Sequence, residues 1–325
     1  GGHLALDDMR DTVYAIMDGQ ATPAQVAALL VGLHLKGETA DEIAGAAIAM
    51  RAHAIRVPTR RRPIVDVCGT GGDASGTFNI STAVAFVVAG AGVTVAKHGN
   101  RAMTSRCGSA DVLEALGVRV DASPQRAAEA LDAEGIAFLF AQAYHPAMRY
   151  VAPVRREIGV RTLFNVIGPL SNPAGAHRQI IGVPRPDLLA LVAAAIGTLG
   201  CERAAIVHGS GGLDELSLAG PNRVAEWTGA AVREYSIEPA ALGLRRRPNA
   251  DLAGGEPHDN ARIVRAVLDG DRGPHRDVVL LNAALALTVA GVAEDMRDGI
   301  RRAGDSIDRG TAIAKLDALV KATKA

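Results

Sequence analysis

A short apolar run followed at once by three glycines, at residues 65–73 (VDVCGTGGD), has the composition of a phosphate-binding turn. Residues 63–67 are predicted to form a short buried strand. Gly69, Gly71 and Gly72 permit backbone conformations and a close approach that a Cβ would forbid, so backbone amides can point at an anion. The helix predicted to follow would add its N-terminal dipole and free amides. We therefore expect the ligand to be a polyanion.

A second polar loop, KHGNR at 97–101, follows another predicted strand at 93–96 and precedes a helix predicted to open near Ser109. The two loops are expected to face one crevice, where cations, hydroxyls and amides converge. The glycine turn lacks the Gly-Lys-Ser/Thr ending of a P-loop and does not fit the dinucleotide spacing. This argues against a kinase or a dehydrogenase.

Several motifs in this order and spacing resemble the anthranilate phosphoribosyltransferase family. They are GTGGD (69–73), NIST (79–82), KHGNR (97–101), GSADVLE (108–114), HPAMR (145–149), the segment 154–173, GLDELS (212–217) and LNAALAL (281–287). The resemblance covers practically the whole chain. Two departures are visible: Cys68 before the glycines, and TSRC at 104–107 where small residues are expected.

The resemblance implies that the phosphoribosyl group of 5-phosphoribosyl 1-pyrophosphate (PRPP) is transferred to the amine of anthranilate, with release of pyrophosphate, as the second step of tryptophan biosynthesis from chorismate. No protein nucleophile is implied. Positive charge develops on the ribose and negative charge on the departing diphosphate, so a metal, loop amides and Lys97 would act by electrostatic stabilisation. Positioning of the neutral aromatic amine would supply much of the remaining rate enhancement.

The resemblance also assigns binding residues. Those implied for PRPP are Gly69, Gly72, Asp73, Thr77, Asn79, Ile80, Ser81, Thr82, Lys97 and Ser109, and those for anthranilate are Gly69, His98, Asn100, His145 and Arg155. An arginine can hold a carboxylate through two parallel hydrogen bonds. Arg156 adjoins Arg155, and the family spacing from His145 selects Arg155.

Two adjacent carboxylates, Asp214 and Glu215, follow a predicted strand and a glycine-rich turn. Magnesium prefers hard oxygen ligands and is usually shared between one or two carboxylates and substrate phosphates. An Asp-Glu pair alone is more often a solvated turn. The resemblance identifies this pair as a metal motif, adds the hydroxyl of Ser81, and implies two Mg²⁺ ions in the active site.

The composition is that of an ordinary globular enzyme, with 325 residues, 48% apolar residues and 35 acidic against 35 basic side chains. A balanced charge argues against nucleic acid as the main partner. Cys68, Cys107 and Cys201 lack CxxC spacing, so a reducing cytoplasm is expected. The apolar stretches 80–96 and 278–293 are shorter than a membrane span and are interrupted by polar residues, so no membrane segment is expected. The start at two glycines rather than methionine suggests that native N-terminal residues are missing.

The predicted fold class is α/β. Helices are predicted at 23–35 and 40–53, where Thr22 with Gln25 and Thr39 with Glu42 read as capping boxes, and at 124–134 and 146–158. Strands near 64–67, 93–96, 136–140, 179–183 and 203–208 alternate with helices, which indicates a mostly parallel sheet wrapped by helices. The resemblance adds a small all-helical domain, residues 1–62 with a later contribution near 160–180, hinged to a large α/β domain, residues 63–325. It also implies a homodimer.

Two other functions remain open. A pyrimidine nucleoside phosphorylase would have a similar fold and phosphate cradle, but GLDELS and KHGNR suit a diphosphate with magnesium better. A non-catalytic relative that binds nucleic acid should show a basic excess and a degraded metal motif, whereas Asp214 and Glu215 are intact.

Overall fold

The computed structural model describes residues 2–102 and 106–324. The chain opens with three helices, α1 (Leu6–Met17), α2 (Pro23–Lys36) and α3 (Ala40–Ala52). Both predicted capping boxes are confirmed: the Thr22 side chain accepts a hydrogen bond from the Gln25 amide, and Thr39 does the same for Glu42. These caps satisfy amides that the first helical turn leaves without partners, and thereby fix where α2 and α3 begin.

A seven-stranded sheet follows. Its strands are β1 (Ile64–Val67), β2 (Thr94–Gly99), β3 (Ile136–Phe140), β4 (Arg178–Gly182), β5 (Arg203–His208), β6 (Asn222–Trp227) and β7 (Val232–Ile237). Their order in the sheet is β3-β2-β1-β4-β5-β6-β7. The first five are parallel, as predicted, while β6 and β7 form an antiparallel hairpin at one edge that the sequence analysis did not anticipate.

Helices cover both faces of the sheet. They are α4 (Ile80–Gly90), α5 (Ser109–Ala115), α6 (Pro124–Glu134), α7 (Ala141–Tyr144), α8 (Ala152–Ile158), α9 (Leu163–Val166), α10 (Leu188–Thr198), α11 (Pro257–Leu268), α12 (Pro274–Val289), α13 (Met296–Asp308) and α14 (Thr311–Lys324). The predicted continuous helix 146–158 is wrong: a 3-10 turn, Pro146–Tyr150, precedes α8. Pro153 has no amide hydrogen and its ring would clash with the carbonyl of Arg149, which explains the break.

The described residues form three apolar cores, and the two larger ones lie on opposite faces of the sheet. One contains Val65 and Val95 together with α4, α12 and α14. The other contains Ile181 and Ile206 of the sheet together with the N-terminal helices and residues of α8 and α9, such as Leu163. The N-terminal helices therefore share one continuous core with the segment after residue 146 and with one face of the sheet.

The strand order reverses at β1. From β1 the chain builds outward through β2 and β3 on one side, and it returns to pair β4 with β1 on the other side. In open parallel sheets the loops at the carboxyl ends of the strands next to such a reversal bind ligands. The loops after β1, β2, β4 and β5 meet at this edge, and the sequence-predicted site residues lie on or near them.

Within the described ranges, no helix is both long enough and apolar enough to cross a membrane.

Candidate active site

The glycine turn after β1 lies directly against the acidic turn after β5. The amide of Gly71 donates a hydrogen bond to Asp214 Oδ2 at 2.8 Å. A Cβ on Gly69 would lie 2.6 Å from the same carboxylate oxygen, and a Cβ on Gly182 only 1.5 Å from the carbonyl oxygen of Asp214. Glycine at 69 and 182 thus allows the two loops to touch, since any larger residue would separate them.

Three carboxylates gather where these loops meet. Asp73 Oδ2 accepts a hydrogen bond from the Asp214 amide at 3.4 Å, and Glu215 Oε1 accepts one from the Ser81 amide at 3.2 Å. Burial raises the pKa of Asp214, and repulsion from Asp73 raises it further. Burial and then repulsion from Asp214 raise the pKa of Glu215. Like charges held this closely favour the binding of a cation between them.

Lys97 lies beneath this cluster, at the end of β2. Its side chain is buried, and Nζ donates to the carbonyl of Val67 at 2.6 Å and to Ser81 Oγ at 3.0 Å. The positive charge of Lys97 lowers the pKa of Glu215 and so offsets part of the rise caused by burial and by Asp214. The ammonium therefore lies at the base of the site and is fixed by backbone and hydroxyl acceptors.

Other residues predicted for PRPP frame the far end of the glycine turn. Thr77 forms an isolated bridge with Ala253, and Ile80 and Thr82 are buried at the start of α4. Among the described residues the Thr82 hydroxyl has no hydrogen-bond partner. Asn79 is already engaged, since Nδ2 donates to the carbonyl of Cys107 and Oδ1 accepts from Asn260 at 2.9 Å. Asn79 thus braces α4 against the second loop.

The second loop begins with Asn100, not with Lys97 as predicted, because β2 continues through Gly99. Asn100 Oδ1 accepts hydrogen bonds from the Arg101 amide and from Gln142, and its carbonyl oxygen accepts one from Ser109 Oγ at 3.2 Å. Asp111 closes the base of the loop, because its Oδ2 accepts from the amides of both Ala102 and Gly108 at 2.9 Å. Residues 103–105 lie outside the described residues, so the departure noted at 104–107 is described only for its last two positions.

Asp66 is a charged group that the sequence analysis did not single out. It is fully buried in β1, accepts from the His98 amide at 3.1 Å and from Asn172 Nδ2 at 2.8 Å, and its pKa is raised to about 6 by burial. Asn172 Nδ2 also donates to the carbonyl of Ala96 at 2.8 Å. This cluster joins β1 and β2 to the segment after α9. The sequence did contain a signal for this residue, because an acidic side chain rarely lies inside an otherwise apolar strand unless it has partners.

The residues predicted for anthranilate divide into a histidine pair and an arginine. His98 and His145 are buried, their ring centroids are 5.2 Å apart, and burial lowers their pKa values to about 3 and about 4. Both are therefore neutral near pH 7. Among the described residues neither ring nitrogen of His145 has a hydrogen-bond partner, nor does Nε2 of His98.

Arg155 lies on α8 with its guanidinium 6.0 Å from the centroid of the Phe164 ring. No described residue accepts a hydrogen bond from that guanidinium, and burial lowers its pKa. Arg156 is exposed, whereas Arg155 is half-buried. Arg155 is thus a half-buried donor that lacks an acceptor among the described residues, and its role toward anthranilate stays a prediction.

Arg161 was missed by the sequence analysis. It precedes α9, and Nη1 donates to the carbonyl oxygens of both Gly71 and Gly72 at 3.2 Å. Burial, and then the positive charge of Arg161, lower the pKa of Arg155, which shows that the two arginines are neighbours. No side-chain pattern could have revealed it, because its partners are backbone carbonyls.

The donor set fits magnesium. Asp214, Glu215 and the Ser81 hydroxyl supply hard oxygens beside the glycine turn. Asp73, Asp214 and Glu215 are neighbours, but in the part of the chain that the structure describes no three His, Cys, Asp or Glu side chains could hold a metal by themselves. Magnesium usually takes only one or two protein carboxylates and completes its shell with water and substrate phosphates, so this arrangement suits it.

Fold and site together define a class of protein. A helical bundle shares a core with an α/β domain, and glycine-rich, acidic and arginine-bearing segments meet at the carboxyl edge of its sheet. Residues 61–313 match the family model described as "Glycosyl transferase family, a/b domain", and residues 1–54 match "Glycosyl transferase family, helical bundle domain". The class is therefore that of the glycosyl transferases with this two-part architecture.

Individual relatives narrow the class. The chain is 56% identical over 320 residues to the anthranilate phosphoribosyltransferase of Moorella thermoacetica, covering 98% of this chain and 94% of that protein. The crystal structure of the enzyme of that name from Thermus thermophilus matches with a TM-score of 0.95 at 46% identity, over 100% of this chain and 97% of the other. The Saccharomyces cerevisiae enzyme in complex with PRPP and Mg matches with a TM-score of 0.90 at 30% identity, over 99% and 94%. The chain belongs to the anthranilate phosphoribosyltransferase family.

Proposed function

We propose that this chain transfers the 5-phosphoribosyl group of PRPP to the amine of anthranilate, forming N-(5-phosphoribosyl)anthranilate and pyrophosphate. The observation that carries the proposal is the juxtaposition of two recognition elements at one edge of the sheet. The glycine turn and acidic turn suit a diphosphate with its metal, and Arg155 beside them is a half-buried cation for which no described residue is an acceptor. PRPP and anthranilate match these elements in charge.

The residues of the chain would act mainly by positioning and electrostatics. Arg155 would hold the anthranilate carboxylate through two parallel hydrogen bonds, which turns the amine toward the ribose. The neutral histidines, His98 and His145, would line the pocket of the aromatic ring without adding charge. Lys97 would stabilise the negative charge that develops on the leaving diphosphate.

Asp214, Glu215 and Ser81 would hold magnesium, for which we propose two ions. Bound magnesium neutralises charge on the departing diphosphate as a Lewis acid. Gly69, Gly72, Asp73, Thr77, Asn79, Ile80, Thr82 and Ser109 are proposed to complete the PRPP site, and Asn100 the anthranilate site, together with Gly69. The raised pKa values of Asp214 and Glu215 support the metal assignment, because a cation would relieve the repulsion that raises them.

We also propose the division into residues 1–62, with a later contribution near 160–180, and residues 63–325. A homodimer formed through the helical part is supported by Leu35, whose residue surface on α2 is 80% exposed. Light scattering after size-exclusion chromatography tests the dimer. A cytoplasmic location is proposed from the three cysteines, which lack CxxC spacing.

The decisive experiment follows anthranilate fluorescence when the protein is mixed with magnesium, anthranilate and PRPP. We expect the fluorescence to fall only when all components are present, and each is omitted in turn as a control. No change with folded protein would contradict the proposal. Phosphate-dependent cleavage of a pyrimidine nucleoside, or binding of nucleic acid, would then decide between the two other functions.

A further inference from the structure

We propose that Arg161 is a positioning residue that orients the glycine turn so that the amides of Gly72 and Asp73 face the diphosphate. This inference rests on the proposed function. The starting observation is that the Arg161 side chain donates to backbone carbonyls: Nη1 donates to Gly71 O and Gly72 O, both at 3.2 Å, and Nη2 donates to Gly71 O at 3.3 Å.

The orientation of the amides follows from peptide geometry. In a trans peptide the C=O and the N–H point in opposite directions. The carbonyl of Gly71 shares its peptide with the amide of Gly72, and the carbonyl of Gly72 shares its peptide with the amide of Asp73. Because Arg161 draws both carbonyls to one side, both amides point to the other side.

These two amides are free to bind a ligand. Neither Gly72 N–H nor Asp73 N–H donates to any residue in 2–102 or 106–324, whereas the preceding amide, that of Gly71, is bonded to Asp214 Oδ2. Gly71 and Gly72 have φ values of 69° and 81°, the left-handed region in which successive amides form an anion-binding concavity. The turn thus offers these two donors to an anion on the side away from Arg161.

Arg161 also explains why residue 72 is glycine. A Cβ on Gly72 would lie 1.8 Å from Arg161 Nη1, so alanine could not be accommodated without moving the guanidinium. The position of Arg161 is in turn fixed by the packing of its own chain segment. The residues that follow it, Leu163 and Phe164, are buried in the core shared with the N-terminal helices. The turn on the sheet is therefore fixed by a segment that belongs to the opposite wall of the site.

Two substitutions distinguish the effect of the guanidinium geometry of Arg161 from the effect of its charge. Arg161→Lys keeps the charge but replaces the planar guanidinium with a single ammonium nitrogen on a shorter side chain, and Arg161→Gln removes the charge as well. We expect each to raise the KM for PRPP by about tenfold or more while changing the KM for anthranilate much less. Arg156→Ala, which removes an exposed arginine from the neighbouring helix, is the matched control and should leave both constants unchanged. Wild-type KM for PRPP in both Arg161 variants, or an equal rise for both substrates, would overturn the proposal.

A second measurement does not depend on turnover. Hydrogen–deuterium exchange of a peptide spanning the glycine turn, in protein without substrates, should be faster in Arg161→Gln than in wild type and in Arg156→Ala. Unchanged exchange would contradict the positioning role. If the wild type did not consume anthranilate, the proposed function would be contradicted. The exchange measurement would still test whether Arg161 positions the glycine turn, because it does not depend on turnover.

A double-mutant cycle with Gly72→Ala tests the close approach directly. Alanine at 72 should raise the KM for PRPP in the wild type, and its added effect should be smaller once Arg161→Ala has removed the guanidinium that it displaces. Non-additivity is expected for residues in contact. Strictly additive effects would show that the contact does not govern the turn.

Discussion

At the scale of single residues, the site contrasts two arginines from neighbouring segments. Arg161 is bonded to two backbone carbonyls, whereas Arg155 has no acceptor among the described residues. A guanidinium that is half-buried without an acceptor has lost part of its hydration without gaining a partner. Such a group favours the binding of an anion, and a carboxylate matches it in shape.

We predict that Arg155→Ala raises the KM for anthranilate by about 10- to 100-fold, the equivalent of one charged hydrogen-bonded contact of about 1.5–3 kcal/mol. The KM for PRPP should change little, because its proposed contacts lie on the glycine turn. Steady-state kinetics with each substrate varied in turn measures the split. Arg156→Ala is the control, and an equal rise for both substrates in Arg155→Ala would remove the assigned role.

We predict that Asp214→Asn with Glu215→Gln lowers magnesium-dependent turnover by about 100-fold or more, since the pair supplies both proposed carboxylate ligands. The rate is measured over a range of magnesium concentrations. The control is Asp269→Asn with Asp271→Asn, which removes the same charge from an exposed turn. Full activity in the first double variant would exclude the metal site.

At the scale of elements, the site depends on how strand ends are joined. Asp66 in β1 bonds the backbone of β2 and the side chain of Asn172, and Asn172 bonds the carbonyl of Ala96 in β2. A buried carboxylate is stable only when its oxygens are well supplied with donors. The polar cluster thus fixes the edge from which the glycine turn and the second loop leave the sheet.

Asn172→Ala should lower the free energy of unfolding by about 2 kcal/mol or more, because it leaves Asp66 with one donor fewer. The pKa of Asp66 is raised to about 6, so the carboxyl is largely protonated at pH 5 and ionised at pH 7.5. The loss should therefore be larger at pH 7.5 than at pH 5. Urea unfolding at the two pH values measures it, and a loss that is greater at the lower pH would refute this account of Asp66.

At the scale of the whole molecule, two histidines lie buried where the helical part meets the sheet domain. Burial holds the pKa of His145 at about 4, against about 6.5 for an unfolded chain. Between these values the unfolded chain binds a proton that the folded protein does not. The contribution to stability is therefore complete above about pH 6.5 and is lost as the pH falls toward 4.

We predict that wild type loses about 2 kcal/mol of stability relative to His145→Gln when the pH is lowered from 7 to 5. The comparison with the variant is needed because buried acids such as Asp66 titrate in the same range with the opposite sign. Urea unfolding of both proteins at the two pH values gives the difference. A difference that stayed constant with pH would show that His145 is not held neutral by the fold.

Much of the fold could be predicted from the sequence because its signals are local. Capping residues such as Thr22 and Ser123 act within one turn, and β-branched runs mark the five parallel strands. The hairpin of β6 and β7 was missed because β7, with the sequence VREYSI, is mostly exposed and has no run of apolar residues. The available signal was the turn 228–231 between the strands, which contains Gly229 at a φ of 91°.

The site could be predicted less completely, for a physical reason. Residues in charged or glycine-rich motifs, including Asp214, Glu215 and Arg155, could be selected from the sequence, and their roles stay predictions. Arg161 and the acceptors of Lys97 could not be selected, because their partners are main-chain atoms brought together only when distant loops meet. The identity of a side chain shows which hydrogen bonds it can donate or accept. It does not show which backbone carbonyl will be its partner in the folded chain.

The contact between Gly182 and the acidic turn bears on how natural variants of this chain are interpreted. A glycine-to-alanine change at the end of a buried strand counts as conservative by volume, charge and hydropathy. At residue 182 the added methyl carbon would lie 1.5 Å from the carbonyl oxygen of Asp214 and would force the whole turn outward. A variant that alters no charged side chain would then resemble, in an enzyme assay, the loss of the carboxylates themselves.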